Sequence, residues 1–562
     1  TKLSVSVLRF SMRSRHFPPS VSFLFAFSTL LLLFSAAKWI ETDGGKILIH
    51  SIDIELTETI YTGGRLYRPL EAQSLNQRPA ILLIAGVQSD KDTLAPLAVE
   101  LARRGFVALT VDNFGQGNTP SALSNPQLNI INSARLLLES QTFVDKKRIG
   151  FAGYTLGTTS GLSVADLSWF QSVVLIAPDD TVLQRFANSN KPANVLILQS
   201  AIESTFTANA AEKAQKSYTI RNFHIPQFFL PLHPGCIAAA LNWFQNALKI
   251  PDDLPLWFDP AAQLGSVREV LLLAAYLILL FMLKWLCEFF QLRYTIQPNT
   301  APKDRTSEII TGKRAVLLWV IGSLALWLLS VPATARFFET VGSNSANGLI
   351  YWIFSLGIFM LIIRMVCAAM QKQPLIGEIR FGFFLRTAGT VAILFFFLYL
   401  SVWVLSRVFM LETHFLIPLL RPLPAERWMA FTAAFVISAF FFWNYSHLFI
   451  SAPAGTQGVT RFILAGISAL LIFLLIEYGP RFAFGHSGWE WLTSVFFPDQ
   501  GSIFPETGWR FAGSAAFSGT LLIASLLWMQ AMLVRRTSDA LSGSLLCGAL
   551  LAWSLISGAT FF

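Results

Sequence analysis

The sequence predicts a doubly wound α/β sheet domain joined to an all-α polytopic transmembrane bundle. Three observations carry this reading. Of 562 residues, 54% are hydrophobic and only 13% charged, with 50 Phe and 16 Trp, a balance far from that of soluble globular chains. From residue 267 onward the apolar runs reach the roughly 20 residues that a bilayer span needs. Between 43 and 265 they shorten to about 4–8 residues and alternate with amphipathic stretches, the pattern of buried parallel strands and covering helices.

Residues 1–20 form a basic N-terminus with Lys2, Arg9, Arg13 and Arg15, expected in the cytoplasm. The apolar stretch at 21–40 reads as a transmembrane anchor. Ser35-Ala36-Ala37 leaves a signal-peptide cleavage site as the alternative. Both readings place the following domain, 43–265, outside the cytoplasm. Lys46–Tyr67 reads as an antiparallel lead-in to the sheet. Ala80–Val87, Phe106–Asp112, Arg148–Gly153, Ser172–Pro178 and Asn194–Gln199 read as parallel strands. Thr93–Arg104, Leu128–Gln141 and Leu156–Asp166 read as the intervening helices, giving a sheet covered on both faces.

The membrane domain, 267–562, reads as about eight spans, near 267–289, 314–334, 347–368, 387–409, 428–450, 461–478, 511–533 and 540–560. The basic linkers 291–313 and 370–386 and the Arg535-Arg536 pair alternate with linkers poor in positive charge at 335–346 and 479–510, so the basic ones are expected in the cytoplasm. No span carries a central carboxylate of the kind that ion-coupled transport commonly uses. Lys284, Glu288, Arg364, Arg407 and Glu477 sit near span ends. The aromatic loop 479–510 reads as an interfacial belt. A net charge of +9 is spread over short clusters and gives no coherent nucleic-acid face. No Cys-x-x-Cys, His-Glu-x-x-His or Gly-x-x-x-x-Gly-Lys sequence occurs, so neither metal nor cofactor is expected. The expected partners are the lipid bilayer, other membrane subunits, and a lipid or cell-envelope ester as ligand.

The chemistry-bearing residues lie at strand ends. Asp112–Asn118 supplies a Gly-rich turn after a strand. Arg148–Gly153 leads directly into Tyr154-Thr155-Leu156-Gly157, a Gly-x-Thr-x-Gly turn between a strand and a helix, where a Gly-x-Ser-x-Gly nucleophile elbow would stand. Small residues are needed there because the turn is too tight for flanking side chains. Thr155 would need a base and an orienting acid. His233, in Leu232-His233-Pro234-Gly235 ahead of an amphipathic run, is the candidate base, with His224 as rival. Glu203, just past a strand, is the candidate acid, ahead of Asp179 and Asp180. The order nucleophile, acid, His is that of the α/β-hydrolase fold.

Residues 63–260 resemble the α/β-hydrolase superfamily, and more specifically a bacterial group that joins such a domain to a C-terminal multi-span membrane region. The resemblance rests on Gly64-Arg65-Leu66-Tyr67-Arg68-Pro69, on Ala80–Arg104 with Glu100-Leu101-Ala102-Arg103-Arg104-Gly105, and on Asp112–Asn118. It continues through His233-Pro234-Gly235, Asn242-Trp243-Phe244-Gln245 and Pro255-Leu256-Trp257. It implies ester- or acyl-type chemistry, with backbone N–H groups of Val87 and Leu156 as oxyanion donors. Two departures stand out. The elbow pattern Gly-His-Ser-Met-Gly-Gly here reads Gly153-Tyr154-Thr155-Leu156-Gly157-Thr158, and the His-Gly after the early strand has become Ala85-Gly86. An elbow nucleophile sits at positive φ, which a β-branched residue tolerates poorly, and the Thr methyl intrudes where a substrate carbonyl must enter. The leading expectation is therefore a pseudoenzyme, a relic triad on a binding or assembly subunit. The alternative is an active esterase or acyltransferase using Thr155, His233 and Glu203.

Overall fold

The computed structural model describes residues 19–114, 116–117, 119, 130–158, 169–178, 194–202, 218–249, 263–293, 321, 345–371, 381–449, 522–534 and 540–558, apart from 59, 87, 88 and 416. Helix α1 (Pro19–Glu41) leads into strands β1 (Ile47–Thr57) and β2 (Ile60–Pro69), which form the antiparallel hairpin expected over Lys46–Tyr67. There follow β3 (Arg78–Ile84), α2 (Ala95–Arg103), β4 (Val107–Val111), α3 (Ile130–Ser140), β5 (Val144–Tyr154), β6 (Ser172–Ile176), β7 (Val195–Ser200), β8 (Thr219–Phe223) and α4 (Pro234–Leu248). The strands make one eight-stranded sheet in the order β1-β2-β4-β3-β5-β6-β7-β8. β2 pairs antiparallel with both β1 and β4, and every other pairing from β4 to β8 is parallel. This is the mixed sheet of the α/β-hydrolase fold.

Strand alternation separates two cores. Leu82, Ile84, Leu109 and Phe151 bury against Ile131, Ala134 and Leu138 of α3 on one face. Ile81, Leu83, Ala108 and Ala152 bury against α2 and against Ile237, Leu241 and Phe244 of α4 on the other. The expectation of a sheet covered on both faces holds. β8 was not foreseen: its sequence Thr-Ile-Arg-Asn-Phe is largely exposed at the sheet edge and lacks an apolar run. The helix expected at Leu156–Asp166 begins as a 3-10 turn, Thr155–Thr158; its remainder lies outside the described residues.

The described residues after α4 are mostly helical, with one short hairpin. Helices α5 (Gly265–Arg293), α6 (Ser345–Gln371) and α7 (Phe381–Phe409) precede a short hairpin, β9 (Thr413–Phe415) and β10 (Ile417–Leu420). After it come α8 (Trp428–Phe449), α9 (Leu522–Val534) and α10 (Ala540–Gly558). Among the described residues five helices are long and apolar enough to cross a bilayer: Val21–Glu41, Gly265–Leu283, Phe384–Phe409, Ala425–His447 and Ala540–Ser557. Ile353–Val366 and Leu522–Val534 are shorter apolar helices. The spans expected at 314–334 (bar Ile321) and 461–478, and the aromatic loop 479–510, lie outside the described residues.

Helix α1 packs into the bundle through Ala26, Leu30, Phe34 and Ala37, in one core with Leu272, Ala275 and Tyr276 of α5. Small residues set the closest approach between α8 and α10, where a Cβ on Gly548 would stand 2.6 Å from the Ala439 backbone nitrogen. The sheet domain is stitched to the start of α5 by Glu100 of α2. Its Oε1 accepts the Leu264 and Gly265 N–H groups at 2.7 and 3.0 Å. A buried carboxylate thus satisfies donors that a helix N-terminus leaves open and lies at the positive end of its dipole.

Candidate functional site: the elbow and the ionic junction beside it

Strand β5 lies near the middle of the sheet and ends at Tyr154, so the residue after it stands at the carboxyl edge, where this fold gathers its chemistry. Thr155 has φ 48°, inside the left-handed region. Such a conformation costs a non-glycine residue about 1–3 kcal/mol and is avoided by β-branched side chains in particular. The elbow is therefore built despite the Thr. Two glycines allow it. A Cβ on Gly157 would fall 2.3 Å from the Ile84 carbonyl oxygen, and one on Gly86 would fall 1.6 Å from Thr155 Oγ1 and 2.5 Å from the Tyr154 carbonyl. The loop after β3 thus lies directly against the elbow hydroxyl, and Thr155 is only 6% exposed.

The remaining sequence-derived residues divide into those the structure places and those it does not describe. Leu156 follows Thr155 in the 3-10 turn. Val87, Glu203, Asp179 and Asp180 lie outside the described residues. His224 is exposed just past β8. His233 is the N-cap of α4. The Cys236 N–H is shared between the His233 carbonyl at 3.0 Å and Nδ1 at 3.3 Å, and the His233 ring meets the Phe223 ring edge-on at 5.3 Å. A neutral imidazole accepting through Nδ1 carries its proton on Nε2. Burial pushes the Cys236 thiol up to about 12, so it remains protonated.

Immediately beside the elbow, sequence reasoning missed a dense ionic junction. The loop after β3 carries Asp90, Lys91 and Asp92, all buried. Asp90 meets Arg421 at 3.2 Å and His414 Nε2 at 3.3 Å, while His414 Nδ1 meets Glu269 of α5 at 2.7 Å. Asp92 pairs with Arg65 of β2 at 2.5 Å. Arg65 also reaches Glu41 at the end of α1 (3.3 Å) and the Met410 carbonyl past α7 (2.9 Å). Arg268 of α5 meets Glu41 at 3.0 Å, and Lys91 meets Asp112 at 3.4 Å. Arg421 and Arg427 both donate to the Gly117 carbonyl, in the turn after β4. Arg427 also donates to the Ile556 carbonyl near the end of α10. Ends of α1, α5, α7, α8 and α10 therefore converge on the carboxyl edge of β3 and β4.

The electrostatics follow from burial and pairing. Burial disfavours the Asp90 carboxylate, but His414, Arg421 and Lys91 outweigh it and hold the group well below the ordinary carboxylate range. Asp92 is likewise lowered, with Arg65 overcoming burial. Burial opposes charge on His414, yet Glu269 and Asp90 raise it to about 10, so it is an imidazolium at neutral pH. Glu412 behaves oppositely: burial raises its pKa, and Arg421 and Lys91 do not compensate fully. Asp90, Asp92 and Glu412 offer carboxylate oxygens within 4.8 Å of one another, the spacing of a cation site. The charges of Asp90 and Asp92 are already matched by Arg421, His414, Lys91 and Arg65, so the cluster works as an internal ion-pair network. The only sequence signals for it were the Ser89-Asp90-Lys91-Asp92 run and the Arg268-Glu269 pair opening a span.

Residues 36–220 match the family described as PET hydrolase-like. No curated protein matches the chain. Among solved structures, an esterase from Pyrococcus furiosus shares 10% identity over 37% of this chain and 96% of its own length, with a TM-score of 0.30. An acylaminoacyl peptidase from Pyrococcus horikoshii shares 14% identity over 38% of this chain and 43% of its own (TM-score 0.29). A dipeptidyl peptidase 4 from Porphyromonas gingivalis shares 12% identity over 36% of each chain (TM-score 0.29).

Proposed function

We propose that this chain is a membrane-anchored α/β-hydrolase-fold protein whose elbow no longer turns over substrate. Its sheet domain serves as a binding or assembly module on the outer face of the membrane. The observation that carries this reading is the elbow residue itself: Thr155, a β-branched side chain, is held at φ 48°, a conformation such residues tolerate poorly. Strain there matters because a misplacement near 1 Å costs on the order of 100-fold in rate. His233 supports the reading, since its Nδ1 shares the Cys236 N–H with its own carbonyl and a ring accepting there presents Nε2 as a donor, whereas Thr155 would need an acceptor for its proton. The packing of α1 in the bundle supports an uncleaved anchor, and the basic linkers support a cytoplasmic N-terminus. The purified full-length chain, presented with p-nitrophenyl acyl esters, aryl esters and a terephthalate diester, is expected to show no turnover above its His233→Ala variant. Turnover that His233→Ala abolishes would overturn the reading.

A second reading is favoured by one specific feature, the retention of φ 48° at Thr155 with Gly86 and Gly157 cut to fit it. On this reading the chain is an esterase-type hydrolase, in keeping with the family matched by residues 36–220. Thr155 attacks an ester carbonyl of an envelope lipid or cell-wall component, His233 takes the proton, Glu203 orients the ring, and backbone N–H groups of Val87 and Leu156 hold the oxyanion. A fluorophosphonate probe then labels Thr155. Complete absence of an adduct under forcing conditions argues for the first reading.

A further inference from the structure

Tyr67 lies on β2, between Ile49 of β1 and Ala108 of β4. Its ring is fully buried in the apolar core beneath α2 and α4, and its hydroxyl has no hydrogen-bond partner among the described residues. That hydroxyl lies in the field of four charged groups: Glu41 at the end of α1, Arg65 of β2, Asp92 of the loop after β3 and Arg268 of α5. Burial and the Glu41 carboxylate hold it protonated, well above the ordinary tyrosine range. It is therefore a donor that lacks an acceptor.

The groups around it are short of partners in the same way. Asp92 Oδ1 meets Arg65 at 2.5 Å, yet its buried Oδ2 accepts no hydrogen bond among the described residues. Nε of Arg65 and Nε of Arg268 are buried donors left over in the same cluster, although both guanidiniums meet Glu41, at 3.3 and 3.0 Å. Orphaned atoms gathered like this stand out, because buried polar groups nearly always find a partner in the protein or in ordered water. The charges decide what fits. Glu41 and Asp92 face Arg65 and Arg268, and Glu269, which also meets Arg268, is matched by His414. No net charge is left for an ion to balance. Three donors and one acceptor remain, and a water molecule both accepts and donates.

We infer that this cluster is a hydration site, where water buried between the sheet domain and helices α1 and α5 accepts from the Tyr67 hydroxyl and donates to Asp92 Oδ2. Each guanidinium is already within reach of both carboxylates: Arg65 meets Asp92 and Glu41, and Arg268 lies 3.0 Å from Glu41 and 3.8 Å from Asp92. Water among them weakens every single pairing, so the two arginines can exchange partners where a dry seam would fix them. The inference goes beyond the proposed function and holds whether or not Thr155 reacts.

X-ray radiolysis of the full-length chain tests it, because hydroxyl radicals formed from water in place oxidise the side chains beside that water. Tyr276 is the comparison: it is as buried as Tyr67, and its hydroxyl is paired with Ser525 at 3.2 Å. Tyr67 is expected to be oxidised at least about 10-fold faster than Tyr276, as a side chain bonded to buried water. Equal rates would overturn the hydration site. Tyr67→Phe gives a second readout that needs no radicals. A hydroxyl packed dry and unbonded weakens the fold, so its removal would raise the unfolding midpoint. A hydroxyl bonded to water supports the fold, and its removal is expected to lower the midpoint by about 2–4 °C. A midpoint that rises or does not move would also overturn the inference.

Discussion

Substituting Gly86 by Ala probes the contact on which the elbow geometry rests. The added Cβ would stand 1.6 Å from Thr155 Oγ1, 2.9 Å from Thr155 Cβ and 2.5 Å from the Tyr154 carbonyl oxygen, where ordinary contacts begin at 3.4 Å. A Thr rotamer can relieve the first overlap. The others involve the main chain or a fixed Cβ, so β3 and β5 must part by several tenths of an ångström in a fully packed sheet. Overpacking of this kind costs about 1–3 kcal/mol, and the backbone overlap puts Gly86→Ala near the upper end. For a domain of roughly 200 residues, 1 kcal/mol shifts the midpoint by about 2–4 °C, which gives a drop of about 6–12 °C. Thr155→Gly removes two of the three overlaps and also relieves the strain of a side chain at φ 48°, so the double variant should recover about half of the loss. The readout is reaction of a thiol dye with Cys236, which is 1% exposed, in a chain with the other three cysteines replaced and heated at one fixed rate. A shift under about 2 °C, or no recovery in the double variant, would show that the loop does not lie against the elbow.

Two further outcomes test the junction. Asp90→Ala removes the carboxylate that Arg421 and His414 share, leaving His414 with Glu269 and Arg421 with the Gly117 carbonyl, and should cost about 3 kcal/mol, the lower end for a broken buried pair. Removing the Arg421 charge as well, by Arg421→Met, should restore a substantial part of this, which urea-dependent proteolysis of the full chain would read; no restoration would mean that the pair is not the cause. Stability should also depend on pH at both ends. His414 binds its proton more tightly folded, at about 10, than the ordinary 6.5, so its contribution is complete below about pH 6.5 and lost as pH rises through 10. Asp90 and Asp92, lowered on folding, contribute above the ordinary carboxylate range and lose that contribution as pH falls toward their depressed values. A melting profile that stays flat from pH 6.5 to 10.5, or an alkaline loss unchanged in His414→Gln, would contradict this assignment.

Much of the sheet was legible because buried parallel strands must be apolar on both faces: Ala80–Ile84, Val107–Val111 and Val195–Leu198 announce themselves in local composition. The elbow was legible for a mechanical reason, since only glycine fits where a Cβ would meet the Ile84 carbonyl. Edge strand β8 was not, because one side of it faces solvent and its residues are largely polar. His233 was readable as a candidate base ahead of an amphipathic run, but its capping of α4 depends on the local turn of the chain. The junction was illegible for a deeper reason. Charges at span ends usually reach toward water, and nothing near Glu41 in sequence indicates that its partner is Arg268. The β9–β10 hairpin, seven residues in two strands, falls between the spans expected at 387–409 and 428–450.

The reach of the ionic network along the chain has a consequence for biogenesis. Its members enter the ribosome's product at very different times: Glu41, Arg65 and Asp90 early, Arg268 and Glu269 about 200 residues later, and the Ile556 carbonyl that receives Arg427 later still. Until then the growing polypeptide must keep several bare carboxylates and guanidiniums at the surface of a domain whose sheet can already be complete. Termination before α10 would leave Arg427 without the Ile556 carbonyl and the Arg421 carbonyl without Trp553. Quality-control proteases or chaperones that sense exposed charge beside apolar segments would have a direct structural cue for distinguishing finished copies from unfinished ones.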